Sequence, residues 1–265
     1  RALTVDVALD YLALGLDPER ATLFRQSDVP EVTELAWILS TVTGKGLLDR
    51  ATSYKDKVAK GITPSVGLFT YPMLMAADIL VYRADLVPVG KDQTQHVEMT
   101  QDIATHFNTA YGREVLRRPE PKLNDAPIVP GLDGAKMSKS YGNTIDLFDE
   151  PAAAKKRIMS IKTDSTPVEA PKDPDACNVF AIYRHVATPE EAAAMAARYR
   201  AGGMGYGEAK KALAEAFERL VAPAREKRRE LAAHPERVEA VLKEGGRRAH
   251  AVAAEVMRDV RDACG

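Results

Sequence analysis

Apolar positions recur at helical spacing from the start of the chain: Leu3, Val7, Tyr11 and Leu14 share one face. Gly15 supplies the left-handed conformation that closes such a helix. Arg1 enters this helix without an N-cap or an initiating methionine, so further chain is expected ahead of it in the gene product. Asp17-Pro18 turns the chain, Thr22 to Gln26 predicts a short strand, and Ser27 to Pro30 leads into a second helix through Thr41. Leu47 to Gly61 is polar and rich in lysine. Val66 to Thr70 precedes a strongly apolar helix over Tyr71–Tyr82, Leu86–Val89 reads as a buried strand ending at Gly90, and Asp92 to Asn108 is a long helix. Strands alternating with helices predict an α/β fold with a parallel sheet covered on both faces.

After Asn143 the pattern changes. Asp149-Glu150-Pro151 starts a helix, and Thr163 to Pro174 is a loop rich in Pro, Asp and Thr. Thr188-Pro189-Glu190-Glu191 combines an N-cap, a proline at the first helical position and a capping-box glutamate. From there to Ala263 the chain is helical, interrupted at Gly202–Gly207. That glycine stretch follows a helix and lacks the spacing of a phosphate loop, so it reads as a connector. A boundary near residue 145 divides an α/β part, 1–145, from a helical part, 146–265.

Composition narrows the class without fixing it. The chain has 265 residues, 45% hydrophobic and 28% charged, as in ordinary globular proteins. The net charge of −1 leaves nucleic-acid binding to local patches such as Arg225-Glu226-Lys227-Arg228-Arg229, which is equally a solvated helix face. Cys177 and Cys264 form neither a disulfide framework nor a zinc spacing, which fits a reducing cytoplasm. No apolar run is long enough to span a membrane.

Three segments carry candidate chemistry. Tyr71, Met75, Asp78 and Tyr82 fall at i, i+4, i+7 and i+11 of one helix face. Asp78, set among apolar neighbours, either bridges to an adjacent element or accepts a hydrogen bond from an apolar ring bearing one N–H. The second segment is Val87-Pro88-Val89-Gly90-Lys91-Asp92-Gln93-Thr94-Gln95-His96, a strand end turning into a helix, where open α/β sheets bind ligands. Asp92 can act there as a cap or as a ligand, and His96 reads as a packing or hydrogen-bonding residue. The third is Lys136-Met137-Ser138-Lys139-Ser140 between Pro130–Ala135 and Gly142-Asn143. Two ammonium groups, two hydroxyls and backbone amides suit a mobile phosphate grip.

Tyr71 to Leu80, Pro88 to His96 and Lys136 to Ser140, in this order and spacing, resemble bacterial tryptophanyl-tRNA synthetases. The last is similar to the KMSKS signature of class I aminoacyl-tRNA synthetases, and Gly202 to Lys210 resembles that family's helical region. The resemblance implies a class I Rossmann-like parallel sheet, N-terminally incomplete, followed by an α-helical tRNA-binding domain, in a homodimer. It implies that Asp78 accepts the indole N–H, that Met75, Val87 and Val89 wall the ring, and that Tyr71 and Gln93 hold the amino-acid head group. Gly90, Lys91, Asp92 and Ile128 would lie against ATP, and Lys136, Met137, Ser138, Lys139 and Ser140 would grip its phosphates with Lys57 nearby. The implied reaction joins L-tryptophan to ATP, with Mg²⁺ on the nucleotide and no structural metal, and then to tRNA(Trp).

The family's first strand and HIGH-type motif have no counterpart here: His96, His106, His185, His234 and His250 all lack an Ile-Gly-like sequel. A catalytically weak fragment that retains tryptophan and tRNA binding is therefore one alternative. A tyrosyl-type relative is another, although that family carries a tryptophan where this chain has Thr94. A non-catalytic tRNA-binding module is a third, against which the intact 136–140 loop argues.

Overall fold

The computed structural model describes residues 2–59, 61, 63–123 and 129–265, with side chains at all of these but 52, 53, 56 and 57. Its helices are α1 (Ala2–Ala13), α2 (Glu31–Val42), α3 (Lys45–Asp49), α4 (Thr52–Ala59), α5 (Val66–Leu80), α6 (Thr94–Tyr111), α7 (Pro151–Met159), α8 (Asn178–Val186), α9 (Pro189–Ala201), α10 (Tyr206–Ala233) and α11 (Pro235–Cys264). Two strands, β1 (Leu86–Val89) and β2 (Glu120–Leu123), pair in parallel with Leu86 opposite Glu120 and Val89 opposite Leu123. Parallel strands cannot be joined by a tight turn, and α6 makes the crossover between them.

The chain forms two compact units. The first comprises Arg1–Ala8, Leu16–Asp125 and Pro235–Gly265; the second comprises Leu9–Gly15 and Ala126–His234. This division differs from a single cut near 145, because the 136–140 loop groups with the helical unit and α11 with the first. Contiguity in sequence suggested one boundary, whereas the apolar stripe of α11 finds its complement among α2, α5 and α6. Leu35, Leu39, Ala76, Ala77, Leu80, Ile103, Phe107, Ala253, Met257 and Val260 make one core there.

Several elements depart from the sequence reading. The apolar helix starts at Val66 rather than Tyr71, since the Ser65 hydroxyl accepts the Leu68 amide at 3.1 Å and caps it. Residues 22–25 form no strand. Their backbone instead lies against α11, where a side chain on Gly245 would overlap the Leu23 carbonyl. A helix face that must meet bare backbone requires glycine. The sheet among the described residues is not covered on both faces: Leu86 and Pro88 are exposed, while Val87 and Val89 are half-buried. On α1 the buried positions are Ala8, Leu9, Leu12 and Ala13, and Leu3, Val7 and Tyr11 are exposed, as is Leu14 just after the helix.

The second unit follows the sequence more closely. The Thr188 hydroxyl accepts the Glu191 amide at 3.3 Å and the Glu191 carboxylate accepts the Thr188 amide at 2.9 Å, completing the predicted capping box. Gly202–Gly207 connects α9 to α10 as expected, with Gly202 and Gly203 at φ +76°. Its core runs through Ile158, Ile161, Val179, Tyr199, Leu213 and Phe217.

Candidate functional site

In the first unit the site begins on α5. Tyr71, Met75, Asp78 and Tyr82 are all half-buried, whereas Pro72, Met73, Ala76, Ala77, Ile79 and Leu80 are buried. The helix thus sends one face into the core and holds the predicted face at the edge of solvent. Asp78 is not left bare: the Gln26 side-chain amide donates to its two oxygens at 2.8 and 2.6 Å. Burial raises the Asp78 pKa above the ordinary aspartate value, and the Gln26 hydrogen bond pulls the other way. A carboxylate has about four lone-pair sites, so an acceptor position remains for a ligand donor. Beside it, burial first and the Asp78 charge second push the Tyr82 phenol up to about 12, and that ring meets Phe24 edge-on at 5.5 Å.

Gln26 was not singled out from the sequence. It sits in a single helical turn, Gln26–Asp28, fifty-two positions from its partner. No local spacing could have linked the two.

The second segment lies at the end of β1. Gly90 has ordinary extended backbone, φ −72° and ψ 161°, so it is not there for a left-handed turn. A Cβ would instead stand 2.7 Å from an Asp92 carboxylate oxygen, which folds back over the turn. Gln93 donates to the other Asp92 oxygen at 3.2 Å, and Lys91 is exposed. One turn on, buried His96 meets the Tyr71 hydroxyl at 2.6 Å through Nε2. His96 is thus a hydrogen-bonding residue, as its setting suggested, and it fixes the direction of the Tyr71 phenol.

In the second unit the 136–140 loop is held from within. Residues 129–137 fold back on themselves, with the Met137 amide donating to the Val129 carbonyl at 3.0 Å and Gly131 to Ala135 at 2.6 Å. Lys139–Tyr141 then make one tight helical turn, and Gly142 follows in the left-handed region at φ +66°. The amides of Met137, Ser138, Ser140, Tyr141 and Gly142 all donate inside the loop. Backbone amides of those residues therefore do not finish a phosphate cradle in this conformation. What the loop presents is the exposed pair Lys136 and Lys139 with the exposed Ser140; Met137 and Ser138 are half-buried.

Two candidates fall elsewhere. Ile128 lies outside the described residues, as does the side chain of Lys57, whose backbone belongs to α4. The arginines of the basic stretch on α10 are engaged within the chain. Arg225 is buried against Glu218 at 2.7 Å, Arg228 pairs with Asp10 at 2.6 Å, and Arg229 pairs with Glu150 at 3.3 Å. Among the described residues no three His, Cys, Asp or Glu are grouped to hold a metal. No helix there is long and apolar enough to cross a membrane.

Comparison with known proteins identifies the family. A family profile described as "tRNA synthetases class I (W and Y)" matches residues 1–222, which defines the class. A curated tryptophan–tRNA ligase from Rhodopirellula baltica is 52% identical over 265 residues, 100% of this chain and 83% of the relative. One from Fusobacterium nucleatum is 50% identical, covering 99% of this chain and 81% of its own length. The crystal structure of tryptophanyl-tRNA synthetase from Campylobacter jejuni complexed with ADP and tryptophan superposes with a TM-score of 0.91 at 47% identity, over 98% of this chain and 82% of that one. The chain belongs to the tryptophan–tRNA ligase family of class I synthetases. A tyrosyl-tRNA synthetase from Archaeoglobus fulgidus, at 23% identity and a TM-score of 0.61, shares the fold alone.

Proposed function

We propose that this chain carries out tryptophan activation and transfer: L-tryptophan and ATP give tryptophanyl-adenylate and pyrophosphate, and the acyl group then passes to the 3′ end of tRNA(Trp). The observation that carries the reading is Asp78, a desolvated carboxylate held by Gln26 at the edge of an otherwise apolar helix face. Packing alone separates tryptophan from phenylalanine poorly. An acceptor dedicated to one N–H rejects ligands that lack it far better. Asp78 takes the indole N–H, Met75, Val87 and Val89 wall the ring, and Tyr71, oriented by His96, holds the amino-acid head group with Gln93.

The chemistry needs no protein nucleophile. A tryptophan carboxylate oxygen attacks the α-phosphorus, the bond to the β-phosphate bridging oxygen breaks, and pyrophosphate leaves. The enzyme contributes alignment and positive charge. Gly90, Lys91, Asp92 and Ile128 lie against the nucleotide, and Lys136 through Ser140, with Lys57, meet its phosphates; Lys136 and Lys139 supply the free ammonium groups. Mg²⁺ would enter on the triphosphate, which is the usual habit of that ion.

The homodimer has support at α1 and the residue that follows it. Leu3, Val7, Tyr11 and Leu14 leave an apolar stripe exposed, and an isologous interface would bury it. A reducing cytoplasm is the setting that suits the free Cys177 and Cys264. The division of labour between 1–145 for activation and 146–265 for tRNA rests on the resemblance alone.

Tryptophan-dependent exchange of labelled pyrophosphate into ATP tests the reading. Exchange with tryptophan, and none with tyrosine or without amino acid, is the expected result. Equal exchange with tyrosine would overturn the specificity, and tryptophan binding without exchange would leave a binding fragment.

A further inference from the structure

Asn143 follows the lysine loop and is 4% exposed, although its neighbours Tyr141 and Gly142 are open to solvent. Its side chain works as a miniature strand partner. The carbonyl oxygen accepts the Ser138 amide at 2.8 Å, and the amide nitrogen donates to the Lys136 carbonyl at 3.2 Å. Both ends of the Lys136–Ser138 segment are tied by one planar group. The same nitrogen donates to Asp133 Oδ1 at 2.8 Å, and that oxygen also accepts the Ala135 amide at 3.1 Å. The Asn143 backbone carbonyl accepts from Leu132 at 2.9 Å. Gly131 makes room for all this, because a Cβ there would overlap the Asn143 side chain.

The Asn143 hydrogen bond holds the Asp133 carboxyl below the usual aspartate range. Asp133 therefore stays ionised at neutral pH as the fixed end of the clamp.

We propose that Asn143, anchored by Asp133, is a positioning residue that presets the Lys136–Ser140 backbone so that both lysines are aimed before nucleotide phosphate arrives. The proposal rests on reading this loop as a phosphate grip. Fixing ψ of Lys136 and φ of Ser138 sets where the side chains of Lys136 and Lys139 depart from the backbone. Ordering these residues in advance removes their conformational entropy from what phosphate binding must otherwise supply. The carboxamide itself touches no phosphate, since its oxygen and nitrogen are already engaged within the loop.

The test uses the whole chain with Asn143→Ala, Asn143→Asp and the exchanged pair Asp133→Asn/Asn143→Asp. Two readouts are followed: trypsin cleavage after Lys136 and Lys139, and pyrophosphate exchange resolved into ATP and tryptophan requirements. Asn143→Ala should cleave faster and lose between about tenfold and a hundredfold in the ATP-side parameters, with the tryptophan requirement within about twofold of wild type. Asn143→Asp sets two carboxylates against each other and should behave at least as badly. The exchanged pair restores a donor opposite a carboxylate and should recover part of both readouts. Unchanged cleavage in a folded Asn143→Ala protein, or no recovery in a folded exchanged pair, overturns the clamp. Faster cleavage with an unaltered ATP requirement overturns the phosphate-grip reading instead. An equal loss on the tryptophan side would make Asn143 a general structural residue and also refute its positioning role.

Discussion

Replacing Asp78 by asparagine should weaken tryptophan binding while leaving the fold about as stable. The carboxylate is half-buried, and burial raises its pKa despite the Gln26 hydrogen bond. Its folded pKa therefore lies above the unfolded one, and the charged form carries a stability penalty above the folded pKa. That penalty disappears as the pH falls through the folded value toward the unfolded one. Asparagine removes the penalty at all pH values. Against this gain, Gln26 Nε2 reaches both Asp78 oxygens at 2.8 and 2.6 Å, so an amide nitrogen in either place sets donor against donor. The two effects oppose each other, and the net change in unfolding free energy should stay within about 1 kcal/mol, the usual range for a substitution without a large packing change.

The ligand gains nothing to offset its loss. A hydrogen bond from the indole N–H to a charged acceptor contributes about 1.5–3 kcal/mol, so the dissociation constant for tryptophan should rise by about 10- to 150-fold. Calorimetric titration with tryptophan, ATP titration as the control and thermal unfolding separate the effects. Wild-type affinity should also fall on acidification at a pH above that of an ordinary aspartate, and the variant should lose this dependence. Tryptophan affinity within twofold of wild type, or an equal loss of ATP affinity, would falsify the indole assignment. Asp78→Ala should act in the same direction.

Lys139→Ala should slow adenylate formation while tryptophan affinity in the ground state stays nearly intact; a matching loss of tryptophan affinity in equilibrium titration would contradict its role at the phosphates. Gly245→Ala should cost about 1–3 kcal/mol or more in urea unfolding, because its methyl group meets the Leu23 backbone, which cannot swing aside as a side chain can. A neutral result would mean that residues 22–25 are not pressed against α11. Thr188→Ala should cost about 1 kcal/mol through loss of the capping box, with Thr188→Ser recovering most of it; an alanine variant of unchanged stability would show that the cap contributes nothing.

The sequence by itself determined the elements whose signals are local. The capping box at Thr188, the glycine connector at Gly202–Gly207, the strand Leu86–Val89 and the helix after Gly90 each depend on neighbours within a few residues, and each formed. The half-buried face of Tyr71, Met75, Asp78 and Tyr82 was legible for the same reason, since helical periodicity puts those positions in line. Tertiary structure alone decided where distant pieces meet. Gln26 reaches Asp78, Leu23 lies on Gly245, and α11 joins the first unit's core because complementary surfaces are selected by packing, not by proximity in the chain. The same competition left Leu3, Val7, Tyr11 and Leu14 outside and buried Ala8, Leu9, Leu12 and Ala13. Periodicity shows that a helix has an apolar side, but only its packing partners decide which side is covered. Asn143 shows both limits at once: its place after the lysine loop was visible, but its burial and its three side-chain hydrogen bonds exist only once the loop has closed around it.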